Sequence, residues 1–288
     1  MRCMRCFCAV LIIAGLALPV LGEDGQGWTF SGHFQGSSNH SGLIMKLDPT
    51  VGYSFNRHFQ TYAGLPVYFV NDSSTLTTST TPASTGFVNG IGNAYVGFQL
   101  AADNPAVNFA SNLTFTAPTG DKARGFSTGR VTADWNNSFS HSFSSVTPFA
   151  NAGIANTISD TAFFVRPFSS LGLVGHFDGG ATASLSPLVR VGASAYAVRA
   201  SGEQRIISKL KQRDTGITQT TNSSSSSKRV FEISGETLTS ADAANDHGLS
   251  TWVALHPGSS MDFQVGYSRS VSYDLNTLFF GVEFRVGK

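Results

Sequence analysis

Charge is scarce in this chain. Only 13% of its 288 residues are Asp, Glu, Lys or Arg, about half of the roughly 25% usual in soluble domains. Cysteine is nearly missing as well, and the three present, Cys3, Cys6 and Cys8, sit together near the start. The segment that holds them, residues 1–22, reads as a secretory signal peptide. Arg2 and Arg5 supply its positive start, residues 7–18 its apolar stretch, and Val20-Leu21-Gly22 a small-residue exit. The cysteines precede the apolar stretch instead of following it, which argues against lipoprotein processing. A mature chain of residues 23–288 is then expected to carry no disulfide, thiolate nucleophile or cysteine-bound metal. Losing Arg2 and Arg5 turns 19 basic against 18 acidic residues into 17 against 18, net −1. That balance gives no reason to expect a nucleic-acid partner. Also absent is any apolar run after residue 22 that approaches the ~18 residues of a transmembrane helix. A chain like this can cross a membrane only as a closed sheet, because backbone groups in lipid must be paired internally.

What fills the gap is Gly (30 residues), Phe (23 residues), Ser, Thr and Asn. This mix suits turns, strands and aromatic girdles better than helices. Residues 43–71 show how it is arranged. Leu43, Met45, Leu47, Val51, Tyr53 and Phe55 fall on one side of a period-two alternation, and Ile44, Lys46, Asp48, Thr50, Gly52 and Ser54 on the other. After Asn56-Arg57-His58 the apolar side resumes with Phe59, Ala63, Leu65, Val67 and Phe69. Two such runs around a tight break predict a hairpin. Its arms exceed the usual ~5–6 residues of a soluble strand and reach the roughly 9–11 of a membrane-spanning one.

The pattern repeats along the chain. Strands are expected over 27–35, 43–56, 59–71, 90–101, 107–117, 128–140, 146–158, 169–180, 185–199, 249–256, 261–273 and 276–287. Tight connections (57–58, 102–106, 141–145, 181–184, 257–260) alternate with mostly long ones (36–42, 72–89, 118–127, 159–168, 201–248, 274–275), of which only 274–275 is short. An even strand number with short turns at one end and long loops at the other is the pattern of a bacterial outer-membrane barrel. The fold class expected is therefore all-β: one up-and-down antiparallel transmembrane β-barrel of about 12 strands behind a cleaved signal peptide, with its long extracellular loop at 201–248. The alternating closing strand resembles the C-terminal signal read by the outer-membrane assembly machinery. It departs from that signal in continuing past Phe284 through Arg285-Val286-Gly287-Lys288.

Alternation assigns polar groups to the lumen. Lys46, Asp48, Arg130, Asp134, His176, Asp178, Arg190, Asp262, Glu283 and Arg285 are expected to line it, joined by Tyr62, Tyr68, Tyr95 and Tyr196, with Phe149 and Phe279 as further candidates. Arg or Lys on the lipid side at mid-membrane costs about 2–4 kcal/mol, so the register is well determined. Two readings stay open: a mixed-charge pore lining, or residues that pair with one another and fill a narrow lumen. Within 201–248, EQRIISKLKQR places Ile206, Ile207 and Leu210 roughly on one helical face, as a constriction, a lipid-surface contact or a solvated loop. Lipids and lipopolysaccharide of the outer membrane are the expected surroundings.

Catalytic signals are weak. There is no Gly-x-Ser-x-Gly elbow and no His-Glu-x-x-His motif. His176-x-Asp178 offers two groups on one face, too few for a metal site. No catalytic residue, cofactor or metal is assigned.

One segment carries a resemblance. FTAPTGDKARGFSTGR (115–130), with SFSSVTPFANAGIAN and LGLVGHFDGGA after it, is similar to the family named "MetA-pathway of phenol degradation", over roughly residues 90–200. Pro118, Thr119, Gly120 and Asp121 match its signature, and their chemistry fits turn shaping. The resemblance implies an outer-membrane transporter that takes up small solutes passively, aromatic ones among them, with no enzyme activity. The alternatives from other classes are a non-conducting surface protein that binds a partner through its outer loops, and a barrel-borne lipid hydrolase, which an exposed Ser–His pair at the outer rim would favour.

Overall fold

The computed structural model describes residues 25–39, 42–72, 87–158, 160–161, 163–210 and 235–287. The expected signal peptide, most of loop 72–89 and the middle of loop 201–248 lie outside the described residues. The strands are β1 (Gly27–Asn39), β2 (Gly42–Ser54), β3 (Phe59–Gly64), β4 (Val67–Asp72), β5 (Val88–Ile91), β6 (Tyr95–Ala102), β7 (Asn108–Thr116), β8 (Thr132–Ser140) and β9 (Val146–Ala155). They continue with β10 (Phe168–Ser184), β11 (Val189–Ser208), β12 (Glu236–Thr239), β13 (Asp246–Gly258), β14 (Met261–Ser270) and β15 (Leu275–Val286).

Strand β1 pairs with β15 along one edge and β2 along the other, so the sheet closes on itself. Two of the wall strands are interrupted. β3 and β4 are halves of one strand, both paired to β2, and β5 and β6 pair with those halves in turn. Counted this way the wall has twelve antiparallel strands, with β12 an extra strip on the protruding end of β11. Closure leaves no strand edge in lipid.

Exposure follows the predicted alternation. On β15, Leu278 is 69% exposed and Phe280 45%, while the intervening Phe279 is 3% exposed. Trp28, Phe30, Val96, Phe98, Trp135, Ile154, Val253 and Val265 likewise face outward. An apolar belt around a closed antiparallel barrel is the surface that a bilayer solvates.

The short turns are built by local side-chain caps. Asn56 Oδ1 accepts the amides of His58 and Phe59, both at 2.8 Å. Ser186 Oγ does the same for Leu188 and Val189 at 3.2 and 3.1 Å. Short polar side chains replace the missing ladder partners at these reversals.

Several boundaries differ from the sequence reading. β1 runs to Asn39, through the expected loop 36–42. The β10–β11 reversal falls at 185–188, not 181–184. The described part of EQRIISKLKQR, residues 203–210, is not helical: β11 continues to Ser208, pairing with β10 on one side and β12 on the other. Ile206 and Ile207 are therefore both buried although they point oppositely. β8 starts only at Thr132, which leaves Arg130 in the preceding loop.

A polar cavity inside the barrel

The outer end of the lumen is filled by the connection between β9 and β10, residues 156–158, 160–161 and 163–167 among those described. Phe163, Phe164 and Val165 are apolar and would be costly in water, so the loop turns inward. Phe163 stacks on Trp252 of β13 at 5.1 Å and contacts Phe279 of β15 at 5.2 Å. Phe164 stacks on Tyr196 at 4.9 Å. On the opposite wall, Gln35 Nε2 of β1 donates to the Thr161 carbonyl at 2.7 Å, and the Val165 amide donates to Ser37 Oγ at 3.2 Å. The loop thus reaches across the barrel to β1, β13 and β15.

Two ion pairs tie this loop down. Asp160 meets Lys209 Nζ at 3.0 Å, with side chains 7% and 2% exposed. It also accepts from the Tyr68 hydroxyl at 2.8 Å and the Arg166 amide at 2.9 Å. Burial alone would push this carboxyl up, but the cations Lys209 and Lys46 and these hydrogen bonds outweigh it and hold it at about 2. Arg166 lies over the Phe164 ring at 4.2 Å and reaches Asp246 at 3.5 Å.

Beneath the loop lies a cavity of about 640 Å³. Nine of the fourteen residues expected in the lumen border it: Lys46, Asp48, Tyr62, Tyr68, Tyr95, Asp134, His176, Asp178 and Tyr196. Most pair among themselves. Lys46 meets Asp48 at 3.2 Å, and Tyr95 donates to Asp48 at 3.0 Å. His176 Nε2 lies 2.8 Å from Asp134. Asp178 accepts from Asn151 Nδ2 at 3.0 Å. Tyr62 is held by Asn112 at 2.8 Å and Thr114 at 2.8 Å.

Four more expected residues lie nearer the short-turn end. Asp262, opposite Glu283 in the ladder, is joined by Arg285 at 2.5 Å, and Arg285 also meets Glu283 at 2.6 Å. His256 contacts Asp262 as well. Arg190 follows the 185–188 turn, in step with Gly192 and Ser194 on the inner face. Arg130 is the exception, because the late start of β8 moves it out of the alternation. It borders a separate cavity with Glu203, Arg205 and Leu238 at the long-loop end, not the central one.

Residues that alternation did not single out complete the site: Asp160, Phe163, Phe164 and Arg166 from the inward loop, and Asn112, Asn136 and Asn151 from the walls. The signal for the loop was an apolar Phe-Phe-Val run between an acid and a base where a solvated loop should be polar.

The four motif residues close a gap in the wall. Pro66 cannot donate to a ladder, and the strands part at Leu65-Pro66 and at 92–94. Thr119 Oγ1 accepts the Ala94 amide at 2.7 Å and donates to the Gly92 carbonyl at 3.2 Å. The Gly120 amide donates to Asn93 Oδ1 at 3.1 Å. A Cβ on Gly120 would strike the backbone of Ile91, Gly92 and Phe126, so only glycine fits. Asp121 Oδ1 caps the following 3-10 turn, Lys122–Arg124, by accepting from Ala123 and Arg124 at 2.8 and 3.2 Å. Pro118 sets the chain direction into this turn.

Inward rings lie flat over glycines of neighbouring strands: Tyr62 over Gly97, Tyr95 over Gly64, Trp252 over Gly192, Phe279 over Gly266. A methyl at any of these would overlap the ring. The arrangement covers glycine backbone with aromatic surface while keeping the rings low on the wall.

At the outer rim, Ser272 Oγ lies 3.0 Å from His247 Nδ1, exposed. No carboxylate among the described residues holds the other ring nitrogen, so the pair lacks the group that would orient the imidazole for nucleophilic chemistry.

No protein-family model matches the sequence, and comparison with curated proteins finds no match. Solved structures do match. The COG4313 outer membrane channel from Pseudomonas putida F1 superposes with a TM-score of 0.59 at 10% identity, over 93% of this chain and 97% of that one. The Pseudomonas putida toluene transporter TodX gives 0.46 at 9% identity, over 93% and 90%. At such identities likeness speaks for architecture alone, and with the apolar belt it establishes the fold: a closed twelve-stranded β-barrel of the bacterial outer membrane.

Proposed function

We propose that this barrel is an outer-membrane channel for the passive movement of small solutes, including solutes with an aromatic or hydrophobic body. The observation that carries the reading is the cavity of about 640 Å³ enclosed by the wall under the inward loop. Its polar walls and inward tyrosines offer a path with both hydrogen-bonding and aromatic surface. In this reading Lys46, Asp48, Asp134, His176, Asp178 and the four tyrosines contact the solute on its way. Arg190, Asp262, Glu283 and Arg285 set the charge of the periplasmic mouth. The inward loop is the constriction, and Lys209, just past the end of β11, bears on it through Asp160. The C-terminal strand β15 would be the handle for the assembly machinery, and the rim would meet lipopolysaccharide.

The test is single-channel recording of the refolded chain in planar bilayers. It is repeated with Phe163 and Phe164 replaced by Ala and with residues 211–234 removed. Steps in the intact protein support an open channel, and steps only in the Phe variants support a gated one. Silence in all three, with the barrel shown to be folded, would overturn the reading in favour of a surface protein that binds through its outer loops. A hydrolase is the second reading, with only the exposed Ser272–His247 pair behind it and no orienting carboxylate among the described residues. Release of fatty acid from phospholipid micelles that vanishes in Ser272→Ala would support it.

A further inference from the structure

We propose that the lumen contains a subsite for a small organic ammonium ion, built on Asp178. The proposal rests on the channel reading, since it concerns what that lumen holds. Three independent observations converge on it.

The first is charge matching. Around the cavity, Asp48 has Lys46 at 3.2 Å, Asp134 has His176 at 2.8 Å and Asp160 has Lys209 at 3.0 Å. The cation Arg166 is answered by Asp246 at 3.5 Å. Asp178 alone among these carboxylates has no Lys, Arg or His within ion-pair distance among the described residues. Its partner is the neutral amide of Asn151 at 3.0 Å. The other groups that bear on it, the Ser194 hydroxyl and the Gly179 amide, are neutral as well, so the carboxylate borders the cavity with its charge unanswered.

The second is the sign of the remaining hydrogen-bonding capacity. Asn136 Oδ1 and Gln35 Oε1 are buried acceptors without a donor. Both residues border the same cavity. Gln35 is only 1% exposed. These two oxygens are too deeply buried to touch a solute, but their lone pairs add negative potential to the wall of the cavity that Asp178 also borders. The natural complement is a donor-rich cation: an ammonium carries up to three N–H groups and no acceptor. An anion would meet Asp178 with no cation to offset it.

The third is the surface beside the carboxylate. Tyr196 lies directly opposite Asp178 in the β10–β11 ladder. It borders the cavity together with Phe163 of the inward loop. One face of Tyr196 is taken by Phe164; the aromatic surface it keeps beside the carboxylate suits a cation that carries a flat or apolar body. Solutes of this class are amines with a compact hydrocarbon part.

The test uses the refolded full barrel in detergent and isothermal titration with benzylammonium chloride, with benzyl alcohol and sodium benzoate as neutral and anionic counterparts. Wild type is expected to bind benzylammonium at least tenfold more tightly than benzyl alcohol and to ignore benzoate. Asp178→Asn should cost benzylammonium at least tenfold and leave benzyl alcohol unchanged. Asp178→Glu should recover part of the loss, and Asp103→Asn, in an exposed turn, should change nothing. Equal binding of the three probes by wild type would overturn the proposal, as would undiminished benzylammonium binding by a folded Asp178→Asn. If Asp178→Asn does not fold, the wild-type ranking of the three probes decides. Bilayer recording separates this from the channel reading. A barrel that binds benzylammonium in detergent yet never conducts keeps the subsite and loses the channel. One that conducts without preferring the ammonium probe loses the subsite alone.

Discussion

Asp160 and Lys209 meet at 3.0 Å inside the barrel, one on the loop between β9 and β10 and the other just past the end of β11. Their contact joins the inward loop to the end of β11. Breaking a buried pair from one side leaves an uncompensated charge and costs about 3–5 kcal/mol. Asp160→Asn should therefore lower the melting temperature and loosen the loop, giving larger or more frequent conductance steps. The double variant Asp160→Ala, Lys209→Met removes both charges and should recover much of the stability while still conducting more than wild type. Unchanged melting and conductance in Asp160→Asn would refute a latch role for the pair.

The same carboxylate sets a pH limit. Its ordinary value is 3.8, and in the folded barrel it is held at about 2. A depressed acid contributes stability that is fully present above its unfolded value and lost as pH falls through its folded one. The loop should thus stay seated at pH 5 and at pH 4 and weaken only as pH falls from near 4 towards 2. Asp160→Asn should lack that acid step. Conductance recorded along an acid series in both proteins checks it. A loop-opening transition near neutrality in wild type, shared by the variant, would assign control to another group.

Phe163 bridges the loop to the far wall through Trp252 and Phe279, at ring distances of 5.1 and 5.2 Å. It is only partly buried, so Phe163→Ala should cost less than the ~3–5 kcal/mol of a fully buried Phe. The expected outcome is a barrel that folds with a slightly lower melting temperature and a larger unitary conductance. A deeper loss of stability with unchanged conductance would mean that the ring holds the wall together and does not restrict the lumen.

Much of this was legible beforehand because a barrel strand has one of the simplest codes in protein structure. Two faces meet two solvents, and a slip of one residue would put Lys46 or Asp178 into lipid. Hence the strand count, the outward Phe and Trp residues and the inward tyrosines could be read directly. What could not be read this way was anything outside the alternation. Arg130 was placed by starting β8 at Thr128, whereas Gly129, with its positive φ, belongs to the loop before that strand, which begins only at Thr132. Ile206 and Ile207 are adjacent and both apolar, which contradicts a two-solvent strand. They obey a different rule because β11 rises past the wall and is covered on both faces. The inward loop carried its own clue in Phe163, Phe164 and Val165, but its partners Gln35, Trp252 and Lys209 lie far away in sequence and only closure of the barrel brings them together.

Glycine makes the last prediction. Gly97 of β6 lies beneath the ring of Tyr62, which Asn112 and Thr114 hold in place by hydrogen bonds at 2.8 Å each. A methyl at residue 97 would occupy the space of the ring, so Gly97→Ala must lift Tyr62 into the lumen and strip those bonds. Overpacking of this kind costs about 1–3 kcal/mol, and the displaced ring should also reduce conductance. Gly258→Ala, where nothing lies within 4 Å of the added carbon, should change neither. Adding Tyr62→Ala to Gly97→Ala removes the obstructing ring and should restore conductance without restoring stability, because the wall still lacks its aromatic cover. If Gly97→Ala alone conducts and melts like wild type, the ring has another place to go, and the glycine beneath it is not what keeps the lumen clear.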